Sequence, residues 1–123
     1  MHNILVIDDD VITLELLQLI LDEFIEGEVC TMSNSSEAIR YIEKDGLEGT
    51  DLVICDWQMP EHDGLEVLAA IRKKNQQVPF LLLTGNATRD LVIAARKAKV
   101  SDFIAKPFKN YDLTEKVKRL LDA

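Results

Sequence analysis

Short apolar runs that alternate with segments of helical period are the feature that most constrains the fold of this chain. Residues 4–7, 52–55 and 80–83 are apolar throughout and rich in valine, isoleucine and leucine. Runs of this kind are typical of strands that are buried on both faces, as in a parallel sheet covered by helices. Weaker strands fit residues 28–32 and 102–105.

The segments between these runs carry apolar residues spaced by three and four, which predicts amphipathic helices. Asn34 with Glu37, and Asp63 with Glu66, have the spacing of N-terminal capping boxes, and Gly46 suits the end of the second helix. Five βα units in succession predict an α/β fold, a doubly wound five-stranded parallel sheet with helices on both faces, in one domain over residues 1–123. The predicted helices cover residues 13–24, 35–44, 64–74, 87–98 and 111–121.

The charge of the chain is unevenly distributed. The net charge is -8, and residues 1–84 contain 5 basic and 17 acidic side chains, whereas residues 85–123 contain 9 basic and 5 acidic ones. The acidic part argues against nucleic-acid binding, and the basic part is a candidate docking surface for a protein partner. No apolar run approaches the roughly 18 residues of a membrane span, and the first residues lack a secretory signal, so we expect a cytoplasmic protein.

The two cysteines, Cys30 and Cys55, lie within apolar segments. We expect both to be buried free thiols, because a reduced cysteine behaves as a small hydrophobic residue.

The residues that follow the predicted strands are the first candidates for a functional site. Ligands of open α/β sheets bind beyond the carboxyl ends of the strands, near the point where strand order reverses. Carboxylates brought together there repel one another unless a cation joins them, and oxygen-only ligands suit Mg²⁺. A carboxylate beside a lysine and a hydroxyl can accept a phosphoryl group as an acyl phosphate. The residues are Asp8, Asp9 and Asp10 after the first strand, Asp56 after the third, Thr84 and Gly85 after the fourth, and Lys106 after the fifth.

Five short segments together resemble the receiver domains of two-component signalling, especially the single-domain chemotaxis type. The segments are VIDDD at 6–10, ICDWQMP at 54–60, DG at 63–64, LTG at 83–85 and KPF at 106–108. The similarity extends from residue 3 to about residue 121, and the order and spacing of the segments are specific. It implies the flavodoxin-like receiver fold.

The resemblance also implies the chemistry of the site. Asp56 would accept a phosphoryl group from a histidine of a sensor histidine kinase or a histidine phosphotransfer protein. Mg²⁺ would be bound by Asp9 and Asp56 directly, by Asp8 through water, and by the backbone carbonyl of Gln58. Lys106 would pair with the phosphoryl oxygens, and its bond to Pro107 would be cis.

Two further pairs of residues acquire roles by the same resemblance. Thr84 and Phe103 would form the switch, in which Thr84 moves toward the phosphoryl group and the Phe103 ring turns inward. The side chains of Gln58 and Asn86 would line the path of the hydrolytic water and so influence the rate of dephosphorylation. The protein would be a signalling domain rather than an enzyme, promoting only its own phosphorylation and a slow autodephosphorylation.

The output surface implied by the resemblance consists of the fourth helix, the fifth strand and the fifth helix. Output then requires a downstream protein partner, or an effector domain outside this sequence. The surface carries Arg89, Arg96, Lys97, Tyr111, Lys116 and Arg119.

The first predicted helix has two apolar stripes, although the core needs only one. Leu14, Leu17, Leu21 and Phe24 form the first stripe. The second is a candidate surface for a kinase, for a phosphotransfer domain or for homodimer formation, and consists of Ile12, Leu16 and Leu19.

The chain departs from many receivers at Lys99, which stands where they have glycine after the fourth helix. Either this helix ends without a left-handed residue, or Lys99 bears a strain of about 1 kcal/mol. Asp10 has no role in the receiver pattern and is predicted to lie in the first turn of helix one, where the helix dipole favours an acid.

Two other functions fit parts of the sequence. The Asp8-x-Asp10 pair resembles that of haloacid-dehalogenase-like phosphohydrolases, with Thr84 and Lys106 in further roles, but that family needs another acidic pair after a later strand and none follows Lys106. A receiver-like adaptor that works without phosphorylation is the second alternative. A flavodoxin-like nucleotide or flavin site is disfavoured, because no glycine-, serine- or threonine-rich loop follows the first strand.

Overall fold

A computed structural model describes residues 1–122 and contains strands and helices in strict alternation. The strands are β1 (His2–Ile7), β2 (Gly27–Met32), β3 (Leu52–Asp56), β4 (Phe80–Thr84) and β5 (Asp102–Ala105). The helices are α1 (Val11–Phe24), α2 (Ser35–Asp45), α3 (Gly64–Lys74), α4 (Arg89–Lys97) and α5 (Asn110–Asp122). The predicted α/β architecture is confirmed.

All five strands are parallel and lie in the order β2-β1-β3-β4-β5. The chain moves from β1 to one side of the sheet and then crosses to β3 on the other side, so strand order reverses between these two strands. The carboxyl ends of β1 and β3, where the acidic residues stand, therefore flank the switch point of the sheet.

The two faces of the sheet bury two separate hydrophobic clusters, because successive side chains of a strand point to opposite faces. On one face, strand residues such as Leu5 and Val53 pack with α2, α3 and α4. On the other face, Ile4 and Ile54 pack with α1 and α5. The central strands β3 and β4 are buried along their whole length, as their apolar sequences predict.

Cys30 was expected to be buried, and this expectation is wrong. Cys55 is buried in the central strand β3, whereas Cys30 is exposed. Cys30 lies in β2, which pairs only with β1 at the edge of the sheet and has no fully buried residue. Both cysteines are free thiols, as predicted.

Hydrogen bonds at the two ends of α4 determine where this helix begins and ends. α4 begins two residues later than predicted because the Thr88 side chain accepts a hydrogen bond from the Leu91 amide and caps the helix. At its end, Lys99 has φ +61°, and the amides of Lys99 and Val100 bond to the carbonyls of Arg96 and Ala95. This is a Schellman ending with a lysine in the left-handed region, so the first of the two expectations for Lys99 is wrong, and the strain of about 1 kcal/mol stays a prediction.

Among the described residues, no helix combines the length and the apolar character that crossing a membrane requires.

Candidate functional site

Three carboxylates meet at the carboxyl end of the sheet. Asp8 and Asp9 follow β1, Asp56 is the last residue of β3, and Ile7 of β1 pairs with Cys55 of β3. One carboxylate oxygen from each of the three lies within 4.8 Å of the others. Asp8 is fully buried and Asp56 is 7% exposed, while Asp9 faces solvent. The sheet thus brings together three of the four acidic residues that the sequence placed at these strand ends.

Lys106 supplies the cation of this cluster. Its Nζ lies 2.8 Å from Asp8 Oδ2 and 3.3 Å from Asp56 Oδ1. The Lys106 amide donates to the Thr84 carbonyl at 2.7 Å, which ties the end of β5 to β4. The Asp10 amide donates to the remaining oxygen of Asp8, Oδ1, at 2.9 Å. Asp8 therefore holds the lysine beside Asp56. As the resemblance implies, the bond between Lys106 and Pro107 is cis.

The surroundings of Asp56 and Lys106 shift the pKa of each. Burial and the neighbouring charge of Asp8 raise the pKa of Asp56 to about 6, against the lowering effect of Lys106. Burial alone would lower the pKa of Lys106, but the hydrogen bonds and charges of Asp8 and Asp56 outweigh it and leave that pKa raised. At pH 7 Asp56 is mainly a carboxylate and Lys106 an ammonium. Lys106 thus neutralises the negative charge of Asp56 only in part, and such a carboxylate favours binding of a further cation.

Thr84 and Asn86 stand on the adjacent strand end. Thr84 is buried as the last residue of β4, and its Oγ1 accepts a hydrogen bond from the Asn86 amide at 3.1 Å. Asn86 and Gln58 are exposed, in the loops that follow β4 and β3. A Cβ on Gly85 would meet only open space, so packing within the fold does not require glycine at this position.

Phe103 lies on β5 and is partly buried against the cluster that includes α4. Lys116 of α5 donates to the Phe103 carbonyl at 2.8 Å and to Asp102 Oδ1 at 3.0 Å. Its Nζ also lies 5.8 Å from the centre of the Phe103 ring. Phe103 is thus held at the edge of the sheet by α5, on the surface that carries the basic side chains.

Gly64 belongs to the site, although the sequence argument gave it no role beyond its place in a motif. A Cβ at this position would lie 2.6 Å from the backbone oxygen of Asp56 and 2.9 Å from Leu82 Cδ1. The Gly64 amide donates to the Trp57 carbonyl at 2.7 Å. The start of α3 can therefore pack on the Asp56 backbone only because residue 64 lacks a side chain.

Asp10 lies outside the cluster. It was predicted in the first turn of α1, but it precedes the helix as the N-cap residue. Its carboxylate accepts hydrogen bonds from the Ile12 amide and the Thr13 hydroxyl, of which the Thr13 bond is the main cause of its lowered pKa. Asp10 is therefore engaged as a helix cap, which disfavours the acid role that a haloacid-dehalogenase-like phosphohydrolase requires.

Comparison with known proteins decides the family. A model of the response regulator receiver domain matches residues 4–118 of the chain. The chain belongs to the response regulator receiver family. This receiver domain is 32% identical over 105 residues to the transcriptional regulatory protein ZraR of Klebsiella oxytoca. That match covers 85% of the receiver domain but only 23% of the relative, so the chain spans about a quarter of the relative's length.

Solved structures agree with this assignment. A response regulator receiver domain protein from Clostridium thermocellum superposes with a TM-score of 0.89 at 30% identity, covering 99% of this chain and 95% of that one. A CheY-like receiver domain protein from Methanospirillum hungatei gives 0.88 at 30% identity, with coverages of 99% and 94%. The chain is thus a receiver domain of two-component signalling, and receiver domains are signalling modules rather than conventional enzymes.

Proposed function

We propose that this receiver domain is a phosphorylation-operated switch in which Asp56 accepts a phosphoryl group from a histidine of a sensor kinase or phosphotransfer protein. The observation that carries the proposal is the position of Lys106, whose Nζ lies within 3.3 Å of Asp56 and 2.8 Å of Asp8 in a cluster of three carboxylates. An incoming phosphoryl group would meet a nucleophilic oxygen and an ammonium side by side.

The transfer needs a charged Asp56. One carboxylate oxygen forms a bond to phosphorus while the phosphorus–nitrogen bond to the imidazole breaks, and the electron pair of that bond stays on the imidazole nitrogen. Asp56 is mainly ionised at pH 7 because its pKa is about 6. The Lys106 ammonium then offsets negative charge on the phosphoryl oxygens.

The donor set fits Mg²⁺. Asp8, Asp9 and Asp56 offer only oxygen ligands, and the uneven exposure of these residues leaves room for water, which Mg²⁺ retains. We assign the ion to these carboxylates and to the Gln58 backbone carbonyl, with Asp8 acting through water. When bound, Mg²⁺ would supply positive charge that stabilises the transferring group.

The response to phosphorylation is assigned to Thr84 and Phe103. The Thr84 hydroxyl is a hydrogen-bond acceptor from Asn86 and retains its own proton, which it can donate to a phosphoryl oxygen. Movement of Thr84 would vacate space for the Phe103 ring and change the surface formed by α4, β5 and α5. We assign to the exposed side chains of Gln58 and Asn86 an influence on attack by water, and thus on the lifetime of the phosphoryl group.

The donor surface is assigned to the exposed stripe of α1. Ile12 and Leu19 are 76% and 67% exposed. The stripe continues into a cleft of about 290 Å³ that is lined by Leu16, Lys106 and Phe108. Because this cleft includes Lys106, a helix that covers it would bring its histidine close to Asp56. We expect the partners to be cytoplasmic proteins; a homodimer through the same stripe is the alternative use, and the solution mass of the protein distinguishes the two.

The proposal is tested with small phosphodonors. Phosphoramidate, which carries a phosphorus–nitrogen bond, and acetyl phosphate should each add a single phosphoryl group in the presence of Mg²⁺, as observed by intact-mass spectrometry. Asp56→Asn and chelation of Mg²⁺ should abolish the adduct. A folded parent protein that gains no adduct from either donor would favour the adaptor that works without phosphorylation.

A further inference from the structure

The loop between β3 and α3 contains a strained turn close to the phosphorylation site. Glu61 has φ +74°, and the His62 amide donates to the Pro60 carbonyl across it at 2.9 Å. A three-residue turn with positive φ at its centre is rare. Such a conformation persists only where the surrounding structure holds it.

Ser35 holds both ends of this turn. It is the first residue of α2 and is only 2% exposed. Its Oγ donates to the Pro60 carbonyl at 2.7 Å and accepts from the His62 amide at 3.2 Å. A hydroxyl has one donor and two acceptor positions, so a single serine can satisfy both groups.

A neighbouring serine and the N-cap of α2 hold the centre of the same turn. The Ser36 hydroxyl donates to Glu61 Oε2 at 2.7 Å, and Asn34 Nδ2 lies 3.5 Å from Glu61 Oε1. These contacts are more exposed than those of Ser35. Ser35 is therefore the buried centre of a connection between α2 and the loop.

The base of the loop is fixed separately. The Trp57 amide donates to the Leu83 carbonyl at 2.8 Å, and the Trp57 carbonyl accepts from the Gly64 amide at 2.7 Å. Gln58 and Met59 lie between this base and the turn at Pro60. The backbone direction at Gln58 is consequently determined from both sides, by β4 and α3 at the base and by Ser35 at the turn.

We infer that Ser35 is a positioning residue for the Gln58 backbone carbonyl, and that its hydroxyl raises the affinity of the site for Mg²⁺. The inference rests on the proposed function, because it takes the Gln58 carbonyl as a ligand. A ligand fixed before the ion arrives loses little conformational freedom on binding. Without the hydroxyl, the turn can relax and the carbonyl must be ordered when the ion binds.

The test compares the Mg²⁺ affinity of Ser35→Ala with that of the parent protein. Trp57 is the only tryptophan and follows Asp56 directly, so its fluorescence can report Mg²⁺ binding. Loss of the two hydrogen bonds that the Ser35 hydroxyl makes at the turn predicts a Kd about five-fold higher in Ser35→Ala. Ser33→Ala, at an exposed position before α2, is the matched control and should leave the Kd within about two-fold of the parent value.

A second readout separates local positioning from general loss of stability. The His62 amide should exchange with deuterium at least about three-fold faster in Ser35→Ala, while the Val53 amide of the central strand β3 keeps its protection. If Ser35→Ala does not fold, Ser36→Ala removes the exposed contact to Glu61 and should raise the Kd in the same direction, by about two-fold.

The outcomes distinguish this inference from the proposed function. Saturable Mg²⁺ binding with an unchanged Kd in the serine-to-alanine variants would overturn the role of Ser35 and leave the metal site intact. A parent protein with no saturable response to Mg²⁺ would overturn the proposed metal site, and the inference with it. A raised Kd with faster His62 exchange would support both.

Discussion

At the scale of single residues, the candidate site consists of three carboxylates and one lysine in close contact. The sequence predicts Asp8 and Asp9 after the first strand, Asp56 after the third and Lys106 after the fifth, and the structure brings these side chains together. Their energetic roles required coordinates, because a pKa depends on burial and on distances between charges. The cost of an uncompensated carboxylate at Asp56 was therefore not predictable.

The free-energy cost of holding Asp56 as a carboxylate leads to the first prediction about stability. In the metal-free protein the raised pKa of Asp56 means that the folded state binds a proton more tightly than the unfolded state between pH 3.8 and about 6. The Asp56 carboxylate therefore destabilises the fold as pH rises through this window and remains destabilising at pH 7. Asp56→Asn should increase the free energy of unfolding at pH 7 by about 1–2 kcal/mol, and this gain should shrink toward pH 4.

The measurement is urea denaturation in EDTA at pH 7 and pH 4. Asp22→Asn, at an exposed position on α1, is the control and should change stability by less than about 0.5 kcal/mol at either pH. An Asp56→Asn protein less stable than the parent at pH 7 would show that Lys106 compensates the carboxylate fully.

Gly64 gives a second prediction for a single residue. In Gly64→Ala the new Cβ would meet the Asp56 backbone oxygen, so α3 must shift, and we expect a loss of about 1–3 kcal/mol in stability. The shift should also slow phosphorylation, because it displaces the Asp56 backbone. Gly49→Ala, whose Cβ would meet nothing within 4 Å, should do neither in parallel thermal melts and phosphorylation assays. Equal melting temperatures for the two variants would contradict this account.

At the scale of secondary-structure elements, periodicity predicted every strand and helix, whereas their ends depended on local contacts. The N-cap roles of Asp10 and Thr88 shifted the starts of α1 and α4 from their predicted positions. The strained turn at Glu61 was not predictable, because no sequence pattern marks a glutamate with positive φ. The exposure of Cys30 likewise depends on the position of β2 at the sheet edge, which the apolar pattern of β2 alone does not reveal.

The end of α4 gives a prediction at this scale. Lys99→Gly should stabilise the protein by about 1 kcal/mol, because glycine adopts φ +61° without the steric cost that a Cβ incurs. Lys97→Gly, at the last residue of the same helix, removes the same side chain but should destabilise by up to about 1 kcal/mol. Denaturant titration of both variants provides the test. A destabilised Lys99→Gly would show that the lysine side chain makes a contact that outweighs its backbone strain.

At the scale of the whole molecule, the two proposed partner surfaces lie on either side of the proposed phosphorylation site. The stripe of α1 reaches the site through the cleft beside Lys106. In the proposed switch, the basic surface of α4, β5 and α5 is linked to this site through Thr84 and through Phe103, whose carbonyl accepts a hydrogen bond from Lys116. The parallel sheet permits this arrangement because it gathers five strand ends at one edge while its helices face outward. The proposed donor and output surfaces can thus be distinct and still share Asp56.

The central claim is that Asp56 is the nucleophile, and the position of the phosphoryl group tests it most directly. After reaction with acetyl phosphate and Mg²⁺, the acyl phosphate is reduced with borohydride and the modified residue is located by peptide mass spectrometry. The account predicts one modified residue, Asp56, and none in Asp56→Asn. Modification at Asp8 or Asp10, or an undiminished adduct in Asp56→Asn, would contradict the account and favour chemistry at the end of β1.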